Sequence, residues 1–325
     1  MTRPVLIALL GLALAPAAAA AQDPVPAPPA PVPTPEPPKP ALALAVTGTL
    51  QAGHADLELA GRQFKATGSM TPAAAGEKVQ LRLSRDGKVK RTLKAKVKAD
   101  GTFAKTIAAG RAGRVSIRVL HAPTAAVGKA RGPKVSVRVV RPALAPGASG
   151  PLVRLLQKGL EQLHYAVPRN DHFDAATGRA VMAFRKVNGM DRRYDADRRV
   201  IEKVLAGKGT FKVRHPEAGH HVEADLSLQV LALIDGDKVR EIYHTSSGAP
   251  ATPTVIGTFR VYLKTPGTNA KGMVHSSYFI RGYAIHGYVD VPAFNASHGC
   301  LRVPIPDAWH IFQWVNLGDR VIVYP

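Results

Sequence analysis

The sequence predicts a multidomain chain: an all-β, Ig-like sandwich, a small three-helix bundle, and a mostly β domain with one short helix. Three observations predict it. A chain of 325 residues is too long for one ordinary core and about right for two or three. Apolar residues recur at every second position from Leu42 to Arg141 and again over the last third of the chain. Between these stretches, from Gly150 to Leu205, they recur at helical spacing.

At the N-terminus, Arg3 precedes an apolar run from Val5 to Leu14, and the alanines at 17–21 offer small residues for cleavage. This pattern predicts a signal peptide over residues 1–21 and an exported protein, in the periplasm or the cell wall. The apolar run is too short to span a bilayer, which needs ~20 residues; an uncleaved anchor is the alternative reading. Residues 22–41 are rich in Pro and Ala and predict an extended, semi-rigid linker that buries no core.

Over 42–141 the apolar sets Val79, Leu81, Leu83 and Val115, Ile117, Val119 and Val135, Val137, Val139 alternate with polar residues. Asp86-Gly87 and Asp100-Gly101 mark hairpin turns. About seven short strands in ~100 residues give the sandwich. The same stretch carries 20 Lys/Arg against five acidic residues, a large share of the chain's net charge of +21. No aromatic residues interleave with these cations to stack bases, which sets nucleic acid aside. In an exported chain, anionic wall polymers or lipid headgroups are the fitting counter-charge, and a solvated basic face without a partner is the bland alternative.

Residues 147–208 carry three amphipathic helices. The first presents Leu152, Leu155, Leu156, Leu160 and Leu163, and the second Ala180, Val181, Phe184 and Val187, with Thr177 expected as its cap. The third holds Val200, Val204 and Leu205. Residues 210–325 return to strands: Leu226 to Ile234, Val239 to Thr245, Thr258 to Leu263, a helix near Trp309 capped by Asp307, and a closing strand from Arg320 to Tyr324.

The chemistry concentrates at Ile285-His286-Gly287 and Ser297-His298-Gly299-Cys300-Leu301-Arg302. Cys300 is the only cysteine, so no internal disulfide forms and the thiol is free to react. An imidazole beside it removes its proton or stabilises its anion; lowering the thiol pKa by ~2 units would favour thiolate by roughly 2.7 kcal/mol. Glycines at 287 and 299 allow close approach of backbone to a reacting carbonyl. Amides around His298, Gly299 and Cys300 are the expected oxyanion donors. His215, His220 and His221 have no accompanying carboxylate or His–Glu helix motif, and read as a solvated linker rather than a metal site. His275, Tyr278 and Tyr283 either line the cleft or pack. Nothing in the pattern calls for a cofactor.

The Ser-His-Gly-Cys-Leu-Arg run with its upstream His-Gly resembles the signature of the YkuD-type L,D-transpeptidase catalytic domain. Ser247-Gly248, Thr252-Pro253-Thr254, Gly257-Thr258-Phe259 and Gly318-Asp319-Arg320-Val321 fall in the family's order. The helical unit, through Gly150-Pro151-Leu152-Val153, Leu156-Gln157, Phe173-Asp174, Thr177, Ala180-Val181 and Phe184, resembles the common peptidoglycan-binding domain. The resemblance implies that Cys300 attacks a peptidoglycan stem between its third and fourth residues and that His286 serves as base. It further implies that the Gly287 carbonyl orients the imidazole, and that Ser297, Gly299, Arg302 and Tyr283 shape the site, with His298 beside the nucleophile. It implies acylation by carbapenem-type β-lactams as well. Ten residues separate His286 from Ser297, fewer than in the longer family pattern, so substrate preference does not carry over. Transfer of the resulting thioester to an amine gives a transpeptidase, and hydrolysis gives an L,D-carboxypeptidase. A non-catalytic wall-binding protein is the reading from a different class, opposed by the intact His286 and Cys300.

Overall fold

The computed structural model describes residue 1, residues 35–72 and residues 75–325. The expected signal segment, beyond Met1, and most of the linker lie outside the described residues. The end of that linker is not a bare spacer: the Pro38 carbonyl accepts a hydrogen bond from Gly128 N at 2.9 Å and so docks on the sandwich.

Among the described residues nine strands, rather than about seven, build the sandwich. Strands β1 (Ala41–Thr47), β4 (Gln63–Thr71) and β7 (Thr102–Ala108) form one sheet. The other contains β2 (Leu50–Ala52), β3 (Ala55–Leu59), β5 (Lys78–Arg85), β6 (Lys88–Lys96), β8 (Gly113–His121) and β9 (Ala130–Val140), in the order β2-β3-β9-β8-β5-β6. The alternating valines, leucines and Ile117 of β5, β8 and β9 meet Phe64, Phe103 and Ile107 of the facing sheet in one core. Asp86-Gly87 closes the β5–β6 hairpin as expected. Asp100-Gly101 does not close a hairpin: it carries the chain from β6 in one sheet to β7 in the other. The short β2–β3 hairpin escaped the sequence pattern because β2 spans only three residues, although Ala55, Leu57 and Leu59 of β3 alternate with Asp56 and Glu58.

The helices are α1 (Pro151–Gln162), α2 (Ala175–Val187) and α3 (Arg198–Leu205). Gly150, at φ +109°, leads into Pro151, whose missing N–H and fixed φ suit a helix start. The cap of α2 is Asp174, not Thr177: the Asp174 carboxylate accepts from Thr177 N at 2.7 Å. A carboxylate meets the helix N-terminus better than a hydroxyl does, and Thr177 is instead buried, accepting from Gln157 Nε2 at 2.9 Å.

The remaining residues form two sheets and a helix. Strands β10 (His220–Asp225), β11 (Val230–Asp235), β12 (Lys238–His244), β13 (Gly257–Arg260) and β18 (Arg320–Tyr324) order as β12-β11-β10-β18-β13. Strands β14 (Leu263–Thr268), β15 (Val274–Ile280), β16 (Tyr283–Tyr288) and β17 (Leu301–Pro304) order by number, and helix α4 (Ile305–Trp314) packs on them. Three expectations change. Leu226–Gln229 is a turn between β10 and β11 rather than the start of one strand, tied by Leu228 N donating to Asp225 Oδ1 at 2.8 Å. His220 and His221 lie on β10, not in a linker; His221 is buried against Glu223 and His220 stacks on Trp314. Thr258 to Leu263 divides between β13 and β14, which belong to different sheets.

Asp307 does not cap α4, which starts after Pro304. Its carboxylate instead receives both Nη2 and Nε of Arg179, from α2, at 2.8 and 3.0 Å. The units therefore meet through specific contacts. Leu57 and Leu59 of β3, the apolar faces of α1–α3, and Val230, Ala232, Ile234 and Ile242 share one continuous core. Among the described residues, no helix is long and apolar enough to cross a membrane. Replacing Asp174 with Ala is expected to cost about 1 kcal/mol of stability, seen as a lower midpoint in thermal unfolding, with the helical far-UV signal retained.

Candidate active site

Strands β16 and β17 lie side by side and parallel, with Ile285 opposite Leu301, His286 opposite Arg302 and Gly287 opposite Val303. Side chains of a strand alternate faces. Ile285, Leu301 and Val303 therefore enter the core beneath α4. His286, Tyr288, Cys300 and Arg302 project from the opposite face into a cavity of about 520 Å³. Lys271, Met273, Gly282, Tyr283, Ser297 and His298 complete its lining.

Two glycines make this packing possible. A Cβ on Gly287 would lie 2.7 Å from the Ala308 Cβ, so only glycine lets α4 close on β16. Gly299 has φ +107°, and a Cβ there would lie 2.5 Å from the Tyr283 ring. Tyr283 thus packs directly on the backbone beside Cys300.

The loop before Cys300 is tied to itself and to its neighbours. Ser297 is buried; its hydroxyl donates to the Cys300 carbonyl at 2.6 Å and accepts from Gly299 N at 3.1 Å. This hydroxyl braces the turn. It also engages the Gly299 amide, which leaves the amides of His298 and Cys300 as the remaining members of the expected oxyanion set. Ser297 N and Ala296 N donate to the Ser247 carbonyl at 2.8 and 2.9 Å. Ser247 is held in turn by Gln229, through Nε2 to its hydroxyl at 2.6 Å and Oε1 to its amide at 2.8 Å. Gly248 fits a tight turn in which a Cβ would lie 2.2 Å from the Thr252 carbonyl.

His286 Nδ1 lies 2.9 Å from the Gly287 carbonyl. A carbonyl only accepts, so Nδ1 carries the proton and Nε2 keeps its lone pair. Burial, and then the Arg302 guanidinium, hold the imidazole below its ordinary pKa, against the bond to Gly287. Cys300 is half-buried, and burial pushes its thiol up. The Ala284 N–H and the cations of Arg302 and Lys271 oppose that shift without reversing it. Desolvation of the sulfur thus outweighs the surrounding positive charge and acts against a preformed thiolate; the contact Sγ makes is to the Gly282 carbonyl at 3.9 Å.

Arg302 spreads over the Tyr288 ring, its guanidinium carbon 4.2 Å from the centroid. His298 is exposed at the rim. His275 and Tyr278 do not line the cavity: His275 packs on Trp309 and Phe312, and Tyr278 packs near Tyr262. Lys271, Met273, Gly282 and Tyr288 line it without having been singled out from the sequence. For Tyr288 the period-two spacing from His286 was the available signal; for Lys271, the Asn269-to-Gly272 turn was.

A β-rich domain holding a histidine on one strand and a cysteine just before the adjoining parallel strand, with a helical unit before it, defines a class. The profile of the L,D-transpeptidase catalytic domain, YkuD, matches residues 219–323, and that of a putative peptidoglycan binding domain matches residues 149–192. The L,D-transpeptidase (residues 123–326) from Xylanimonas cellulosilytica DSM 15894 is 30% identical, with a TM-score of 0.53 over 57% of this chain and 98% of that one. The chain belongs to the YkuD-type L,D-transpeptidase family. The L,D-transpeptidase (Yku) from Stackebrandtia nassauensis is 19% identical, with a TM-score of 0.36 over 56% of this chain and 94% of that one. No curated protein sequence matches the chain.

The rate at which a carbapenem acylates Cys300, followed by intact mass, should be governed by the neutral imidazole. Because the His286 pKa is lowered, the rate is expected to stay flat down to pH 6.5 and fall only below it. With the thiol pKa raised, no step should appear between pH 6.5 and 9.0. A rate that climbs steadily with pH from 6.5 to 9.0 would show that thiolate formation controls the reaction.

Proposed function

We propose that the chain is an exported peptidoglycan L,D-transpeptidase working through a Cys300 thioester. The reading is carried by one observation: a single face of β16 and β17 turns Cys300, His286 and Arg302 into one cavity. His286 Nε2 takes the thiol proton as Sγ attacks the carbonyl between the third and fourth stem residues. The His298 and Cys300 amides donate to the developing oxyanion. The C–N bond breaks, the imidazolium returns its proton to the departing D-amino acid, and the stem remains on sulfur as a thioester. An acceptor amine then attacks the thioester, passes a proton to Nε2, and leaves the cross-linked product and a regenerated thiol. Arg302, at the cavity wall, suits a substrate carboxylate.

Water in place of the amine would make the same site a carboxypeptidase. Incubation with a disaccharide-tetrapeptide and an amine acceptor separates the two: cross-linked dimer is the expected product, tripeptide alone is the hydrolase outcome. Cys300→Ala should abolish both products, and turnover surviving that substitution would exclude the thioester.

The helical unit is proposed to hold peptidoglycan, and the sandwich an anionic wall polymer. The outer face of the larger sandwich sheet supports the second role. Its register sets Arg82 opposite Arg118 and Arg118 opposite Lys134. Like charges so placed repel unless an anion lies across them. With Arg131, Ser84 and Ser116 they line a depression of about 240 Å³. Arg82→Glu with Arg118→Glu is expected to weaken retention on purified walls at least ~10-fold and to flatten its salt dependence, turnover of a soluble stem being unchanged. Equal retention would leave the face without a partner.

A further inference from the structure

Lys186 is the next-to-last residue of α2, in the helical unit, yet it is 2% exposed. Its Nζ reaches into the catalytic domain. It lies 3.0 Å from the Gln229 carbonyl, 2.9 Å from the Thr245 carbonyl and 2.6 Å from His244 Nδ1. His244, also 2% exposed, directs Nε2 to the Val291 carbonyl at 2.9 Å. An isolated buried ammonium is costly, so so complete a set of partners is more than packing.

Nζ faces three acceptors, the two carbonyls and His244 Nδ1, and the Gln229 carbonyl also accepts from Thr245 N at 3.1 Å. Burial lowers the pKa of both groups, Lys186 to about 6 and His244 to about 3, so the pair grips its backbone partners by hydrogen bonds rather than by a standing charge.

The atoms gripped this way lead to the active site by two short paths. Thr245 and Ser246 bond the Arg302 backbone: Thr245 Oγ1 donates to the Arg302 carbonyl at 2.7 Å and Ser246 N to the same oxygen at 3.0 Å. Val291 begins the segment that runs to Cys300. Along it, Arg192, also from the helical unit, donates to the Ala293 carbonyl at 2.7 Å, and Ser246 Oγ to the Phe294 carbonyl at 2.6 Å. The segment ends at Ser297, which braces Cys300.

We propose that Lys186 is a positioning residue of the active site: with His244 it fixes the 245–247 and 291–297 backbone, so that the helical unit completes the catalytic domain rather than only delivering it to the wall. The turnover part of the test rests on the transpeptidase reading; the backbone part does not.

The full chain carrying Lys186→Met is compared with wild type by turnover of the tetrapeptide, by iodoacetamide labelling of Cys300, and by amide hydrogen exchange. The expected result is a folded protein whose kcat falls ~10- to 100-fold with little change in KM. Exchange should rise in residues 289–297 and stay unchanged in α1, while labelling by the small reagent stays within about threefold. A general loss of stability would raise exchange in α1 as well, and that outcome counts against positioning. Wild-type kcat with unchanged exchange over 289–297 overturns the proposal. Should Lys186→Met not fold, His244→Leu, which severs only the path to Val291, decides it by the same readouts. A wild type inert toward the tetrapeptide would defeat the transpeptidase reading, and exchange over 289–297 would still decide the role of Lys186.

Discussion

The structure depends on the burial of one sheet on both of its faces. Along β11, Leu231 and Leu233 turn toward the catalytic core, while Val230, Ala232 and Ile234 turn toward the helices. Strand β18 repeats the division, with Val321 and Val323 on one side and Ile322 and Tyr324 on the other. A sheet apolar on both faces has no stable form with one of them in water. The helical unit is therefore the second layer of this sheet as much as it is a separate domain, and the polar contacts of Arg179 and Lys186 set its register.

The same alternation builds the reactive site at smaller scale. Residues 285, 301 and 303 fill the core, which makes residues 286, 300 and 302 share the open face. The chemistry follows from the resulting partial burial. Desolvation raises the thiol pKa and lowers that of the imidazole, so burial favours the uncharged form of both groups. The proposed proton transfer, coupled to attack, then needs no standing ion pair.

How much of this was legible in the chain varies with the range of the interactions. The period-two runs at Val79, Val115 and Val135 located strands because one face of each is buried. The His286 and Cys300 motifs located the site because their neighbours, Gly287 and Gly299, are local requirements of the same turn and strand. What escaped was set by partners distant in sequence. His221 read as linker because its burial depends on Glu223 and the sheet that closes over it. The uninterrupted apolar run at 230–234 showed a strand, but not that a second layer covers it. Lys186 looked like an ordinary basic residue near a helix end, since the two carbonyls and His244 that surround it come from segments 43 to 59 positions away. Thr177 and Asp307 were each assigned a cap because a side chain of the right type stood near a helix start, where Asp174 and Pro304 hold those positions.

Leu57 and Leu59 come from the sandwich yet sit in the interior shared by the helices and β11. Hinged modules searching on a tether would have kept those leucines inside their own sheet pair. With them committed elsewhere, the separation between the cationic sheet and the thiol is a fixed dimension of the molecule, like the opening of a gauge. Under the proposed roles, a polymer held on the sandwich and the target of Cys300 lie at one standoff, and the choice among targets passes from the protein's motion to the spacing of the surface it works on.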